Sequence, residues 1–225
     1  MRTPRIAIVD SGVHADHPHV GGVCGGVGVG PDGHVTTDIV DVVGHGTAVA
    51  AVVREKAPDA DIYVVKIFDR VLSTSIEALC RGIELAADVS VDVINLSLGT
   101  TNEAHVDRLS AAVAYASARG ALVVSPAEHQ GVRWRPGSLP GVVGVTLDWS
   151  IPRESCRVER ASDASLVVSA SGYPRPIPGV PPERNLKGIS FASANVSGLL
   201  AVCARDDDWR PDVVSVAAKL TSIGG

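Results

Sequence analysis

Apolar residues in this chain fall into short continuous runs, separated by longer stretches in which they recur every three or four positions. The runs at 5–9, 61–67, 91–97, 121–125, 142–146 and 166–169 are rich in Val and Ile and have the length of strands. Because they are continuous and not alternating, they suit strands buried on both faces, as in a parallel sheet. The intervening stretches 47–55, 73–87 and 102–119 carry Ala-rich or 3.6-spaced apolar positions and predict helices. Two more helices are predicted at 191–204 and, after Pro211 at a helix-start position, at 212–220. The expected fold is α/β, a doubly wound, mostly parallel sheet with helices on both faces, formed by residues 1–225 as a single domain. The Gly-rich stretch 21–33 reads as a surface loop and the Pro-rich stretch 173–182 as an extended loop, neither as a domain linker.

Composition narrows the picture. With 225 residues, 45% of them hydrophobic, the chain can bury a full core without dividing in two. The formal net charge is -5 and there is no run of Lys or Arg, which argues against nucleic acid or an anionic membrane as a partner. No apolar run reaches the ~18 residues of a transmembrane helix. The opening segment MRTPRIAIVD passes from two arginines into a short strand, so neither a signal peptide nor a propeptide is expected, and the reading is cytoplasmic. Cys24, Cys80, Cys156 and Cys203 are scattered, without a C-x-x-C pair or a nearby His at metal-ligand spacing. Free thiols, no metal and no cofactor are the expectation.

Three segments carry the chemistry. Asp10 ends the first apolar run, His45 stands in Gly44-His45-Gly46-Thr47 at a helix start, and Ser190 stands in Gly188-Ile189-Ser190-Phe191-Ala192 before a small-residue helix. Each alone has an ordinary reading: a turn or cap aspartate, a structural histidine, an N-cap serine. Together they offer a nucleophile, a base to take its proton and a carboxylate to orient the base.

The surrounding residues resemble the subtilisin-like serine peptidases, whose chain order is also Asp, His, Ser. The likeness runs through Asp10-Ser11-Gly12-Val13 with His17-Pro18, the Gly44–Thr47 segment, and Ala57-Pro58-Asp59-Ala60 with Ile62-Tyr63-Val64-Val65-Lys66-Ile67. It continues in Asp92-Val93-Ile94-Asn95-Leu96-Ser97-Leu98-Gly99 and in Pro136-Gly137-Ser138-Leu139-Pro140-Gly141-Val142-Val143-Gly144-Val145. The resemblance implies a serine endopeptidase acting through an acyl-enzyme, with Asp10, His45 and Ser190 as its triad. It also implies that Ser97, Leu98 and Gly99 pair with an extended peptide or protein substrate by strand addition.

The chain departs from the family where the oxyanion is stabilised. Aligning Leu122-Val123-Val124-Ser125-Pro126-Ala127-Glu128-His129-Gln130-Gly131 with the family's V-V-x-A-A-G-like run places His129 where an asparagine donor is usual. The resemblance then makes His129 and the Ser190 backbone N–H the oxyanion donors, with Asn185 or Gln130 as substitutes. Ala127 and Glu128 would lie on the wall that receives the side chain preceding the scissile bond. Ala48, Ile189, Phe191 and the pair Ala194-Asn195 also depart from the usual pattern, and Arg54-Glu55-Lys56 runs straight into Ala57-Pro58 where a calcium loop is often inserted. A separate folding helper or inhibitor is conceivable for such a minimal chain. Two other readings stay open: a pseudo-protease that binds peptides through the retained substrate strand, and a transpeptidase or ligase. Among hydrolytic roles, limited processing of a particular peptide or protein precursor suits the chain's size.

Overall fold

A computed structural model describes residues 2–162 and 165–224. Nine strands form one sheet among these residues. In chain order its first strands are β1 (Arg5–Asp10), β2 (Gly25–Val29), β3 (Val35–Thr36), β4 (Asp61–Lys66), β5 (Val93–Leu96) and β6 (Leu122–Pro126). A two-residue pair, β7 (Glu128–His129) and β8 (Val132–Arg133), stands apart as a hairpin; β9 (Val142–Leu147), β10 (Cys156–Ser162) and β11 (Ser165–Ala170) complete the sheet. The spatial order is β10-β11-β9-β6-β5-β1-β4-β2-β3. Every pairing is parallel except β10 with β11 and β2 with β3 at the two edges.

Helices cover both faces, as the doubly wound expectation requires. They are α1 (His45–Lys56), α2 (Ile76–Asp88), α3 (Val106–Ala118), α4 (Ile189–Cys203) and α5 (Val213–Gly224). Successive strand residues point to opposite faces, and the core divides accordingly. Ile6 and Ile8 of β1, with Ile62 and Val64 of β4, join the cluster that includes residues of α1, α4 and α5. Ala7, Val9 and Val65 join the other, with α2 and α3. Helix α4 is buried nearly all round, which explains why its sequence is small and apolar with no polar stripe.

Three expectations need correction. Residues 21–33 are not only a loop, because Gly25–Val29 forms β2 and pairs with β4 and β3. Its glycines fit closely: Gly26 lies against Val64 and Gly28 against Thr36, leaving no room for side chains. The predicted helix 102–119 begins as a 3-10 turn over Glu103–His105 and becomes α-helical only at Val106. The predicted helix 73–87 begins at Ile76, where the Ser75 hydroxyl caps it by accepting the Ala78 amide at 3.0 Å. The Pro-rich stretch 173–182 is indeed without regular structure until its last residue enters a short 3-10 turn at Pro182–Arg184. All four cysteines are free, Cys24 exposed and the others buried.

Leu200 is fully buried on α4 between the sheet and its neighbouring helices. Replacing it with Ala is expected to cost about 2–5 kcal/mol. Urea unfolding should show this as a lower midpoint at unchanged slope.

Candidate active site

Asp10 is the last residue of β1, at the carboxyl end where an α/β sheet gathers its functional groups. Its carboxylate is fully buried; Oδ1 accepts the Ser11 amide at 2.7 Å and lies 2.7 Å from His45 Nδ1. Nδ1 therefore carries the proton toward the carboxylate, which leaves Nε2 as the free basic nitrogen. The contact requires α1 to begin against the turn that follows β1. Gly46 permits this, since a Cβ there would lie 2.2 Å from the Gly12 carbonyl oxygen and 3.1 Å from the Asp10 Cβ.

A second carboxylate, which sequence reasoning missed, fastens this junction. Asp41 is 2% exposed and accepts hydrogen bonds from the Ser11 hydroxyl (2.9 Å), the amides of Val43, Gly44 and Thr47 (2.9, 2.7 and 2.9 Å) and the Thr47 hydroxyl (2.7 Å). Burial alone would push its carboxyl up, but the Thr47 hydroxyl and amide, followed by the Gly44 and Val43 amides, hold it below the usual carboxylate range. Gly44 occupies the cap without a side-chain bond, and Asp41 supplies the oxygen that the helix start needs. The available signal was one acid inside the apolar run Ile39-Val40-Asp41-Val42-Val43 just before a helix.

His45 is 14% exposed and stacks at a tilt on Phe191, ring centres 5.9 Å apart. Burial lowers its basicity, yet the hydrogen bond and charge of Asp10, with the charge of Asp41, outweigh burial and raise it above the ordinary value of 6.5.

Ser190 is the second residue of α4, where first-turn amides have no carbonyl one turn earlier. Its hydroxyl does not cap the helix. It donates to the Ser97 carbonyl at 3.1 Å, while the Ser97 hydroxyl donates to the Ser190 carbonyl at 2.9 Å, so strand end and helix start hold each other reciprocally. A buried amide supports the pair: Asn95 donates to the Ser97 hydroxyl (3.0 Å) and accepts from Ser197 on α4 (2.9 Å). Among the described residues Ser190 makes no hydrogen bond to His45, although both line one cleft of about 400 Å³. Catalytic hydrogen bonds are often loose before substrate arrives, and a turn about the Ser190 Cα–Cβ bond redirects its hydroxyl.

The cleft brings together His45, Ser190, Ser97, Leu98 and Gly99, with Asp10 behind His45. It does not gather the residues placed on the far wall. Pro126 and Trp134 line that side; Ala127 is buried behind them, and Glu128 and His129 lie on the β7–β8 hairpin without lining the cleft. Gln130, with Gly131, makes the hairpin turn, both at positive φ. Asn185 lies elsewhere, donating to the Arg175 carbonyl at 3.2 Å. Asn195 is buried in α4 and donates to the carbonyls of Ser171 and Tyr173. Among the described residues no group of three His, Cys, Asp or Glu side chains could hold a metal ion, and no helix is long and apolar enough to cross a membrane.

A parallel sheet with Asp10 and His45 paired at its carboxyl ends, beside a serine in the first turn of a buried helix, is the arrangement of a subtilisin-like α/β protein. A family model described as the Subtilase family matches residues 2–128, which include Asp10 and His45. The chain belongs to the subtilase family. It is 34% identical over 218 residues to a thermostable alkaline protease of Halalkalibacterium halodurans, covering 88% of this chain and 56% of that protein. It is 30% identical over 236 residues to a thermophilic serine proteinase of Bacillus sp. strain AK1, covering 97% of this chain and 57% of that one. An intracellular serine protease of Paenibacillus polymyxa is 27% identical over 220 residues, with 89% and 66% covered. The chain thus spans a little over half the length of the first two relatives. The fold matches that of a cold adapted subtilisin-like serine proteinase with a TM-score of 0.72 at 21% identity, covering 97% of this chain and 81% of the other.

The buried Asp10 contact makes a direct prediction for His45. Its imidazole should titrate above 6.5 when followed by NMR, and Asp10→Asn should bring it below 6.5, because burial then acts with less opposition. The sign for stability follows: the contribution from protonated His45 is fully present below 6.5 and is lost as pH rises through the folded-state value.

Proposed function

We propose that the chain is a serine endopeptidase. Asp10 orients His45, His45 Nε2 takes the Ser190 proton as the hydroxyl attacks a peptide carbonyl and gives it to the amine that leaves as the C–N bond breaks, and water then hydrolyses the Ser190 ester to release the acid. The observation that carries this reading is the 2.7 Å contact of a fully buried Asp10 with His45, in the cleft that also holds Ser190. A buried carboxylate aimed at an imidazole beside a serine has little value to a mere binding module. The relatives, which are proteases, support the same activity.

The substrate is an extended peptide or protein segment that pairs with Ser97, Leu98 and Gly99. The first oxyanion donor is the Ser190 amide at the start of α4, where the helix dipole adds to its effect. The second is His129, on the strand that follows Pro126 out of the cleft wall. Its ring lies outside the cleft without substrate, so this role requires the β7–β8 hairpin to move toward the carbonyl. The 225 residues serve as one peptidase domain, a reading supported by the continuous nine-stranded sheet. Limited processing of a precursor in the cytoplasm is the role we assign, supported by the four free cysteines and by the likeness to the intracellular protease of P. polymyxa.

A fluorophosphonate probe tests the activity: wild type should label and Ser190→Ala should not, and an unlabelled wild type would refute the enzyme. For labelled enzyme, the acid limb of kcat/KM should fall above pH 6.5, since only neutral His45 can accept the proton. His129→Ala should lower kcat by roughly 100- to 1000-fold with little change in KM. An unchanged kcat would assign the oxyanion to main-chain donors alone.

A further inference from the structure

We propose that Trp134 sets the specificity of the cleft, confining the residue on the acyl side of the scissile bond to a small uncharged side chain. The inference rests on the peptidase reading and names its substrate class.

The local chain path delivers the indole. After Pro126 and Ala127 the chain reverses through the β7–β8 hairpin, and the Trp134 amide donates back to the Ala127 carbonyl at 2.8 Å. Arg135 and Thr100 then exchange two backbone hydrogen bonds of 2.8 Å each, tying this segment to the continuation of β5. Buried Arg135 also reaches the Glu103 carboxylate at 3.0 Å and the Ser138 hydroxyl, so the tie is fastened on its outer side. The Trp134 backbone cannot move away without breaking it.

A substrate strand paired with Ser97–Gly99, its carbonyl presented to the Ser190 hydroxyl and amide, places the acyl-side side chain in the slot between Gly99 and Pro126. Glycine at 99 would ordinarily leave that slot open. Here the indole narrows it from the Gly99 side: a Cβ added at Gly99 would lie 2.8 Å from the Arg135 carbonyl oxygen, 2.9 Å from Trp134 Cε3 and 3.5 Å from Trp134 Cβ, and Trp134 lines the cleft. Pro126 closes the opposite wall. Among the described residues no Asp, Glu, Lys or Arg side chain lines the cleft, so a charged side chain would lose its hydration there without an ion pair. Glycine, alanine or serine fits; phenylalanine, leucine and lysine do not.

The test uses tetrapeptide anilides that differ only in the last residue. Wild type should favour Ala over Phe by about tenfold or more in kcat/KM, in keeping with the discrimination an apolar slot provides. Trp134→Ala should shift that ratio toward Phe by at least as much. Trp134→Leu, which keeps apolar packing and guards against a folding defect, should shift it part of the way. Equal use of Ala and Phe by wild type, or a ratio that neither folded variant moves, would overturn the proposal. Affinities of peptides ending in Ala or Phe for Ser190→Ala separate the slot from the chemistry. If no anilide is cleaved, the peptidase reading fails, while a tighter fit of the Ala peptide that disappears in the Ser190→Ala, Trp134→Ala double variant upholds the slot. Equal affinities there would reject it.

Discussion

The site depends on one constraint: a carboxylate with no exposure to water has to be held against an imidazole that stays partly accessible. Burying Asp10 is costly unless its charge is met by hydrogen bonds, and the chain meets it with the Ser11 amide and His45 Nδ1 on a single oxygen. The other oxygen is buried without a hydrogen-bond partner among the described residues. The contact with His45 is therefore heavily weighted, because moving α1 away would strand an unpaired charge. Gly46 and Asp41 follow from that demand. The first lets the backbones meet, and the second replaces the water that the helix start would otherwise keep.

The Ser190 side of the cleft is built from neutral polar groups. Ser190 and Ser97 exchange hydrogen bonds, Asn95 and Ser197 tie that pair to the body of α4, and α4 is sealed into the core. A chain of hydroxyls and one amide satisfies its own donors and acceptors without introducing a charge that would perturb His45. The two halves are positioned by neighbouring elements of one sheet: Asp10 and His45 by β1, α1 and the Asp41 loop; Ser190 by β5, which pairs with β1, and α4. They touch where His45 stacks on Phe191 and where β1 pairs with β5, while the Ser190 hydroxyl stays able to turn from the Ser97 carbonyl toward His45.

How much of this could be read from the sequence varies with burial. Strands β1, β4, β5, β6 and β9 were readable because both faces are covered, which forces continuous Val and Ile runs. The sheet edges were not. In β2 the glycines that permit close approach to Val64 and Thr36 look like loop composition, and in β10 the segment Cys156-Arg157-Val158-Glu159 carries charge suited to an exposed edge. At the site, Asp10, His45 and Ser190 stood out through their glycine-rich neighbours, which reflect close backbone approach. Asp41 was hidden because its role is to accept backbone amides of its own loop, a local geometry that no spacing announces.

The far wall of the cleft shows why a collinear resemblance loses resolution at an inserted turn. The resemblance carries a collinear reading through Pro126 and gives Ala127, Glu128 and His129 expected positions. The turn at Gln130-Gly131 then folds the next residues back on themselves, and Gln is an unusual first residue for a hairpin turn that needs positive φ at both positions. Once the hairpin forms, the wall is made by residues that frame the turn, Pro126 before it and Trp134 after it, while the residues within it are lifted away. Specificity in this cleft is thus determined by where the chain reverses, and the residue that sets it lies eight positions beyond the strand that the motif identifies.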